Sequence, residues 1–105
     1  SFFKELTTLY LRKHDEITKT SISYFNQMMD LRSLNITKTK ITLSDLCENL
    51  NNQNLREIFL SSEDTEENIL EKGFIMKERM PECNIYLNTS FTTDVFDNPI
   101  KPIFD

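Results

Sequence analysis

The chain has 105 residues, a formal net charge of −5 and a single glycine, Gly73. Its longest apolar runs are two or three residues, too short for a transmembrane helix, and one glycine cannot form the glycine-rich loops that cradle nucleotide phosphates. With 38% hydrophobic and 28% charged residues, the composition is typical of a single soluble domain, here 1–105, and predicts no bound cofactor.

Two further features of the composition bear on origin and partners. Alanine and tryptophan are absent while Asn, Ile, Lys and Phe are plentiful, which indicates an AT-rich genome. Residues 61–105 hold ten acidic and four basic side chains, and this acidic half disfavours binding to a phosphate backbone. We find no internal repeat, and no signal-peptide pattern at the start of the sequence.

The N-terminal segment 1–32 carries the strongest periodic signal. Apolar residues recur every seven positions, at Phe3, Tyr10, Ile17, Tyr24 and Leu31. This spacing predicts one long amphipathic helix, about 45 Å long at 1.5 Å per residue. Such a helix would project beyond the rest of the domain, so part of its apolar face is expected to bind a protein. Packing against its own domain and pairing with another chain both stay open.

The segment 33–97 is expected to form a core of short helices and a hairpin. A short strand is predicted at 38–43, with helices at 44–50 and 53–60. Asp64, as an N-cap, and Glu67 begin a third helix that ends at 72, before Gly73. Strands at 74–80 and 83–88 then form a C-terminal β-hairpin, and two prolines make 98–105 an extended arm.

This order of elements defines the predicted fold class. It is α+β, with a mainly helical N-terminal two-thirds (a long helix plus three short helices) followed by the hairpin. The layout resembles a winged-helix domain, on the segments 40–43, 44–50, 53–60 and 68–75. That resemblance implies a nucleic-acid-binding or protein-binding module. Because the helix leading into the hairpin begins with acids at 63–67, protein contact is favoured over binding in the DNA major groove.

Few residues suit catalysis or metal binding. His14 has no carboxylate one helical turn away, and two cysteines with one histidine, none of them paired in sequence, cannot supply a structural zinc site. We interpret Cys47 and Cys83 as reduced thiols, which favours an intracellular location, nuclear or cytoplasmic. No catalytic, cofactor-binding or metal-binding residue is therefore predicted.

These observations favour a non-enzymatic protein–protein interaction domain, part of a larger intracellular complex, that binds a partner protein or itself. A nucleic-acid-binding winged helix using Lys38, Lys40, Arg56 and Lys77 is the alternative, and a small enzyme is the third reading. No membrane or small-molecule ligand is indicated. The predicted interface residues are Phe2, Phe3, Leu6, Tyr10, Ile17, Tyr24, Ile100, Ile103 and Phe104.

Overall fold

We describe residues 6–62 and 64–88 of a computed structural model of the chain. Four parallel strands form one sheet, in the order β1-β2-β3-β4 along both the chain and the sheet. They are β1 (Thr8–Tyr10), β2 (Ser33–Asn35), β3 (Glu57–Ser61) and β4 (Asn84–Asn88).

Helical segments connect successive strands, as parallel neighbours require. A 3-10 helix (Lys19–Ser21) and α1 (Ile22–Phe25) follow β1, α2 (Leu43–Asn49) follows β2, and α3 (Glu66–Arg79) follows β3. Within residues 6–62 and 64–88, no helix combines the length and apolar character needed to cross a bilayer.

The strands pair in a constant register that reveals a sequence repeat. Thr8 pairs with Ser33, Ser33 with Glu57, and Glu57 with Asn84, so equivalent positions lie 25, 24 and 27 residues apart. A Leu-x-x-Leu-x-Leu pattern, with Ile at some positions, recurs at this spacing, as Leu6-Leu9-Leu11, Leu31-Leu34-Ile36 and Leu55-Ile58-Leu60. A period of about 20–29 residues with this pattern is typical of leucine-rich-repeat solenoids. Our expectation of no internal repeat was therefore wrong.

The turns that follow the first two strands repeat as well. Lys13 and Lys38, which are 25 residues apart, are the non-glycine residues with positive φ among those described, at 67° and 58°. The Lys13 backbone N–H donates to the Thr37 carbonyl at 2.9 Å, and the Lys38 N–H donates to Ser61 Oγ at 2.9 Å. Each turn is thus hydrogen-bonded to the chain at the end of the next strand. These hydrogen bonds offset the cost of the left-handed backbone.

The hydrophobic core lies between the sheet and the helices. The inward side chains of the central strands, including Leu34, Ile58 and Leu60, are fully buried. The helices contribute Ile22, Phe25, Leu43, Leu46 and Met76 to the same cluster. One face of the sheet is therefore fixed by apolar burial, the main favourable contribution to folding.

Helices α2 and α3 are joined by polar contacts as well as by burial. The Arg79 guanidinium donates to the carbonyl groups of Leu46, Cys47 and Leu50, at the C-terminal end of α2. The Leu46 carbonyl also accepts the Leu50 backbone N–H. The Cys47 and Leu50 carbonyls lie at the helix end, where carbonyls lack partners within the helix, and a cation there also suits the helix dipole. The Arg79 side chain, at the end of α3, thus caps the C-terminal end of α2.

Asn52 performs a similar role for the segment after α1. Its side chain is 2% exposed, and its amide donates to the carbonyls of Phe25 and Met28, both at 2.9 Å. Its Oδ1 accepts the backbone N–H of Asn54 at 3.0 Å. This buried amide joins the segment after α2 to the segment after α1 without leaving an unpaired polar group.

Asp64 fixes the start of α3. Lys72 Nζ lies 2.7 Å from Asp64 Oδ2, and the Asn68 amide donates to Oδ1 at 2.9 Å. Thr65, the N-cap, accepts the backbone N–H of Asn68. The hydrogen bond from Lys72, together with those from Asn68 and the Thr65 backbone, lowers the pKa of Asp64 from 3.8 to about 2.

The predicted fold class is wrong. The long helix over 1–32 is replaced by β1, the 3-10 helix and α1, and the second half of the predicted helix 53–60 lies in β3. The strand expected at 83–88 is confirmed as β4, but the strand expected at 74–80 is the end of α3, and β4 pairs with β3 in parallel, so there is no hairpin among the described residues. Gly73 does not end a helix but is buried inside α3. The winged-helix layout is also overturned, because the described strands are all parallel. The physical reason is that the residues at seven-residue spacing do not share one face: Tyr10 on β1 and Tyr24 on α1 are exposed, whereas Leu31 is buried in the core.

Two further local predictions are confirmed. The helix expected at 44–50 is α2, and its cap is Thr42, which accepts the Asp45 backbone N–H while Asp45 accepts that of Thr42. A helix does begin near Asp64, although Thr65 is its cap. The strand expected at 38–43 is instead β2, at Ser33–Asn35. The predicted arm 98–105 lies outside the described residues.

We expect the Asn52→Ala variant to lose about 1–3 kcal/mol of unfolding free energy, since the Phe25 and Met28 carbonyls would lose a buried partner. The neighbouring Asn51→Ala change is the matched control, because the Asn51 side chain is exposed. Urea denaturation of both variants measures the difference. Equal stability of the two variants would contradict this role for Asn52.

The low pKa of Asp64 sets the sign of a pH effect. Because the folded state holds this proton less tightly than the unfolded state, the stabilisation is present above about pH 4 and is lost as pH falls towards about 2. We expect thermal unfolding of the Asp64→Asn variant to depend less on pH across this window than that of the native protein. Parallel pH profiles of the two proteins would contradict the assignment.

Candidate functional site

The second face of the sheet is not covered by the helices. Side chains alternate between the two faces of a strand, so the residues between the buried positions point away from α1, α2 and α3. We call this surface the outer sheet face. It consists of Thr8, Tyr10, Ser33, Asn35, Glu57, Phe59, Ser61, Asn84 and Tyr86, all exposed or partly exposed.

A row of large side chains crosses all four strands of this face. The register aligns Tyr10 with Asn35, Asn35 with Phe59, and Phe59 with Tyr86. Neighbouring strands lie about 4.8 Å apart, so the row spans about 14 Å. The Phe59 and Tyr86 rings stack at 4.9 Å with 15° between their planes, and Tyr10, at the other end, is 62% exposed. The row combines three aromatic rings with one amide.

A polar row lies beside the aromatic one. Thr8, Ser33, Glu57 and Asn84 are aligned across the strands. Ser33 Oγ donates to Glu57 Oε1 at 2.7 Å, which fixes the carboxylate along the sheet. This side of the outer sheet face therefore offers one oriented negative charge between small polar side chains.

Hydrogen bonds orient Asn35 within the aromatic row. Its Oδ1 accepts both the backbone N–H of Thr37, at 3.1 Å, and the Thr37 hydroxyl, at 2.7 Å. Arg12 in turn donates to Thr37 Oγ1 at 2.9 Å. Since Oδ1 is occupied, the Asn35 amide nitrogen is left as a donor in the row, with no hydrogen bond to a described residue.

The predicted interface residues are not gathered on one surface. Leu6 and Ile17 are partly buried against the core. Tyr10, on β1, and Tyr24, on α1, are exposed but lie on opposite sides of the sheet. Five predicted residues lie outside the described part of the chain: Phe2, Phe3, Ile100, Ile103 and Phe104.

Phe59 and Tyr86, the stacked pair of the outer sheet face, were not predicted as interface residues. The sequence held a signal for them, because 57–61 and 84–88 both alternate between buried apolar residues and residues of the other face. The apolar residues Leu55, Ile58, Phe59 and Leu60 instead predict a short helix at 53–60. The alternation favours a strand over a helix only when 57–61 and 84–88 are aligned with each other at the repeat spacing.

The described residues bring no nucleophile, acid and base together. His14 is exposed, and no group of three His, Cys, Asp or Glu side chains within 6–62 and 64–88 could hold a metal ion. The thiols of Cys47 and Cys83 are free. Burial raises the pKa of Cys47 and raises that of Cys83 to about 12, which keeps both as unreactive thiols at neutral pH.

A groove lies beside the start of α2. It is lined by residues of the loops after β2 and β3, among them Thr42, Ser61 and Asp64. Thr42 is engaged with Asp45, Ser61 accepts the Lys38 N–H, and Asp64 is paired with Lys72. These polar groups already serve the local fold.

No protein-family model, curated protein or solved structure matches the chain. The repeat described above rests on the period, the apolar pattern and the parallel pairing of the strands.

We expect alkylation by iodoacetamide at neutral pH to distinguish the two thiols. Cys83 is 4% exposed and almost fully protonated, so it should react only on unfolding, whereas the partly exposed Cys47 should react slowly in the folded protein. Mass spectrometry of the folded and urea-unfolded protein measures both sites. Faster labelling of Cys83 in the folded state would contradict the assignment.

Proposed function

We propose that the chain is a non-enzymatic protein-binding domain that uses its outer sheet face. The observation that carries the proposal is the row of Tyr10, Asn35, Phe59 and Tyr86 across the four strands. Aromatic residues are enriched at protein interfaces and dominate their binding energy. Extended sheet faces are also the binding surfaces that solenoid folds use.

The form of this surface favours a protein over a small molecule. Small-molecule sites are concave and enclose most of their ligand, whereas the aromatic row lies along an open sheet. The oriented Glu57 carboxylate and the Asn35 amide supply polar contacts beside the rings. A partner segment with apolar side chains and a hydrogen-bond acceptor opposite Asn35 fits this arrangement.

Nucleic-acid binding is the weaker proposal. Its winged-helix form is lost with the fold, and its basic residues are distributed over different parts of the molecule. Lys38 and Lys40 lie after β2, Arg56 precedes β3, and Lys77 lies on α3. With a net charge of −5, the chain gains little from counterion release at a phosphate backbone. Binding to duplex DNA that weakens steeply with salt would favour this alternative.

We further propose that the domain acts inside the cell, as part of a larger assembly. Two free thiols and no disulfide among the described residues support a reducing compartment. A short solenoid of this kind stacks readily on further repeats or on another chain.

The test is capture of a partner by immobilised protein in three forms. Extract from the source cells is passed over the native protein, the double variant Tyr10→Ser and Tyr86→Ser, and the control Tyr24→Ser. Tyr24 is 68% exposed but lies on α1, on the helix side of the sheet. We expect a partner that the native and control proteins retain and that the double variant loses.

Calorimetry with the purified partner should then show binding weakened by about tenfold or more in the double variant.

Light scattering across a dilution series tests self-association, and a dimer removed by the same double variant would identify a second copy as the partner. Retention of every captured protein by the double variant, with its fold confirmed by circular dichroism, would refute the role of the outer sheet face.

A further inference from the structure

Helix α3 carries an exposed apolar patch on the side of the molecule opposite the outer sheet face. Leu70, Phe74 and Ile75 are 46%, 57% and 43% exposed, while Gly73 and Met76 of the same helix are buried. The helix thus places one apolar set against the core and a second set on the surface. We call Leu70, Phe74 and Ile75 the α3 patch.

The three side chains of the α3 patch all lie on the exposed side of the helix. Leu70 and Phe74 are four residues apart and therefore neighbours on the helix surface, whereas Ile75 lies about 100° further around the helix from Phe74. An exposed patch centred on a phenylalanine has a hydration cost that a bound partner would remove. No helix or strand of the described residues packs over it, because α2 contacts α3 from the buried side.

Carboxylates lie along the α3 patch. At 3.6 residues per turn, Glu67, Glu71 and Glu78 fall on the exposed side of the helix between Phe74 and Ile75. None of the three is in a salt bridge with a described residue. Lys72 is engaged by Asp64 at 2.7 Å. The exposed side of α3 therefore combines apolar side chains with a row of negative charges.

We infer that the α3 patch docks a basic amphipathic segment of a partner protein, whose apolar side chains cover Phe74 and whose Lys or Arg side chains face the three carboxylates. Charge complementarity of this kind sets specificity and the association rate. An amphipathic helix laid against an apolar surface is a common mode of peptide recognition. This site would act independently of the outer sheet face, since the sheet and the core separate the two surfaces.

Charge also argues against the other occupants. A second copy would bring its own glutamates to the patch, in a chain with a net charge of −5. Residues 89–105 carry three aspartates and one lysine, so they too are repelled. Like charges facing one another across an interface disfavour such pairings.

The experiment uses a fluorescein-labelled peptide of leucine and lysine, with leucines at helical spacing, and measures fluorescence anisotropy at low and high ionic strength. We expect binding that is weakened about tenfold or more by Leu70→Ser with Phe74→Ser, and similarly by Glu71→Lys with Glu78→Lys. The matched charge control is Glu16→Lys with Asp30→Lys, two exposed acids remote in sequence from α3, which should change the affinity by about twofold at most. Hydrogen exchange should show protection by the peptide over 66–79.

Four results would overturn the inference: absence of binding even at low ionic strength, equal weakening by the two charge-reversal pairs, protection of the sheet instead of α3, or a dimer that the Leu70→Ser and Phe74→Ser pair dissociates. The Tyr10→Ser and Tyr86→Ser variant should bind the peptide as the native protein does. The two surfaces can therefore fail or succeed separately.

Discussion

The constant register of the parallel sheet is the constraint on which this structure depends. Each strand must be followed by a crossover long enough to return to the start of the next strand, and the pairing of Thr8, Ser33, Glu57 and Asn84 requires these crossovers to be nearly equal in length. Once the register is set, the inward positions Leu34, Ile58 and Ile85 form one apolar layer. The alternate positions are necessarily placed on the outer sheet face.

Polar side chains join neighbouring crossovers by donating hydrogen bonds to backbone carbonyls. Arg79 at the end of α3 occupies the carbonyls at the end of α2, and Asn52 occupies those that follow α1. Both contacts join segments about 25 residues or more apart in sequence. The fold is therefore stabilised by apolar burial within each repeat and by amide and guanidinium hydrogen bonds between repeats.

The two surfaces proposed for binding differ in chemistry because they come from different periodicities. On the sheet, the alternation of two leaves Tyr10, Phe59 and Tyr86 on one side, with a single fixed carboxylate nearby. On α3, the wider period of a helix leaves Phe74 beside a row of glutamates. A near-neutral aromatic surface and an acidic apolar surface would select different partners, and each lies on an element whose opposite side is anchored in the core.

The sequence alone determined the local features that depend on a few adjacent residues. The helix at 44–50 and the start of a helix near Asp64 followed from apolar spacing and from hydrogen bonds between residues three or four apart. Only the tertiary structure decided that 57–61 is a strand and that α3 continues through 74–79. Both segments contain apolar residues at spacings that suit either state, and the pairing of β3 with β2 and β4 settles the choice. The outer sheet face could not be predicted from any single segment, because its residues come together only when rungs about 25 residues apart are stacked in register.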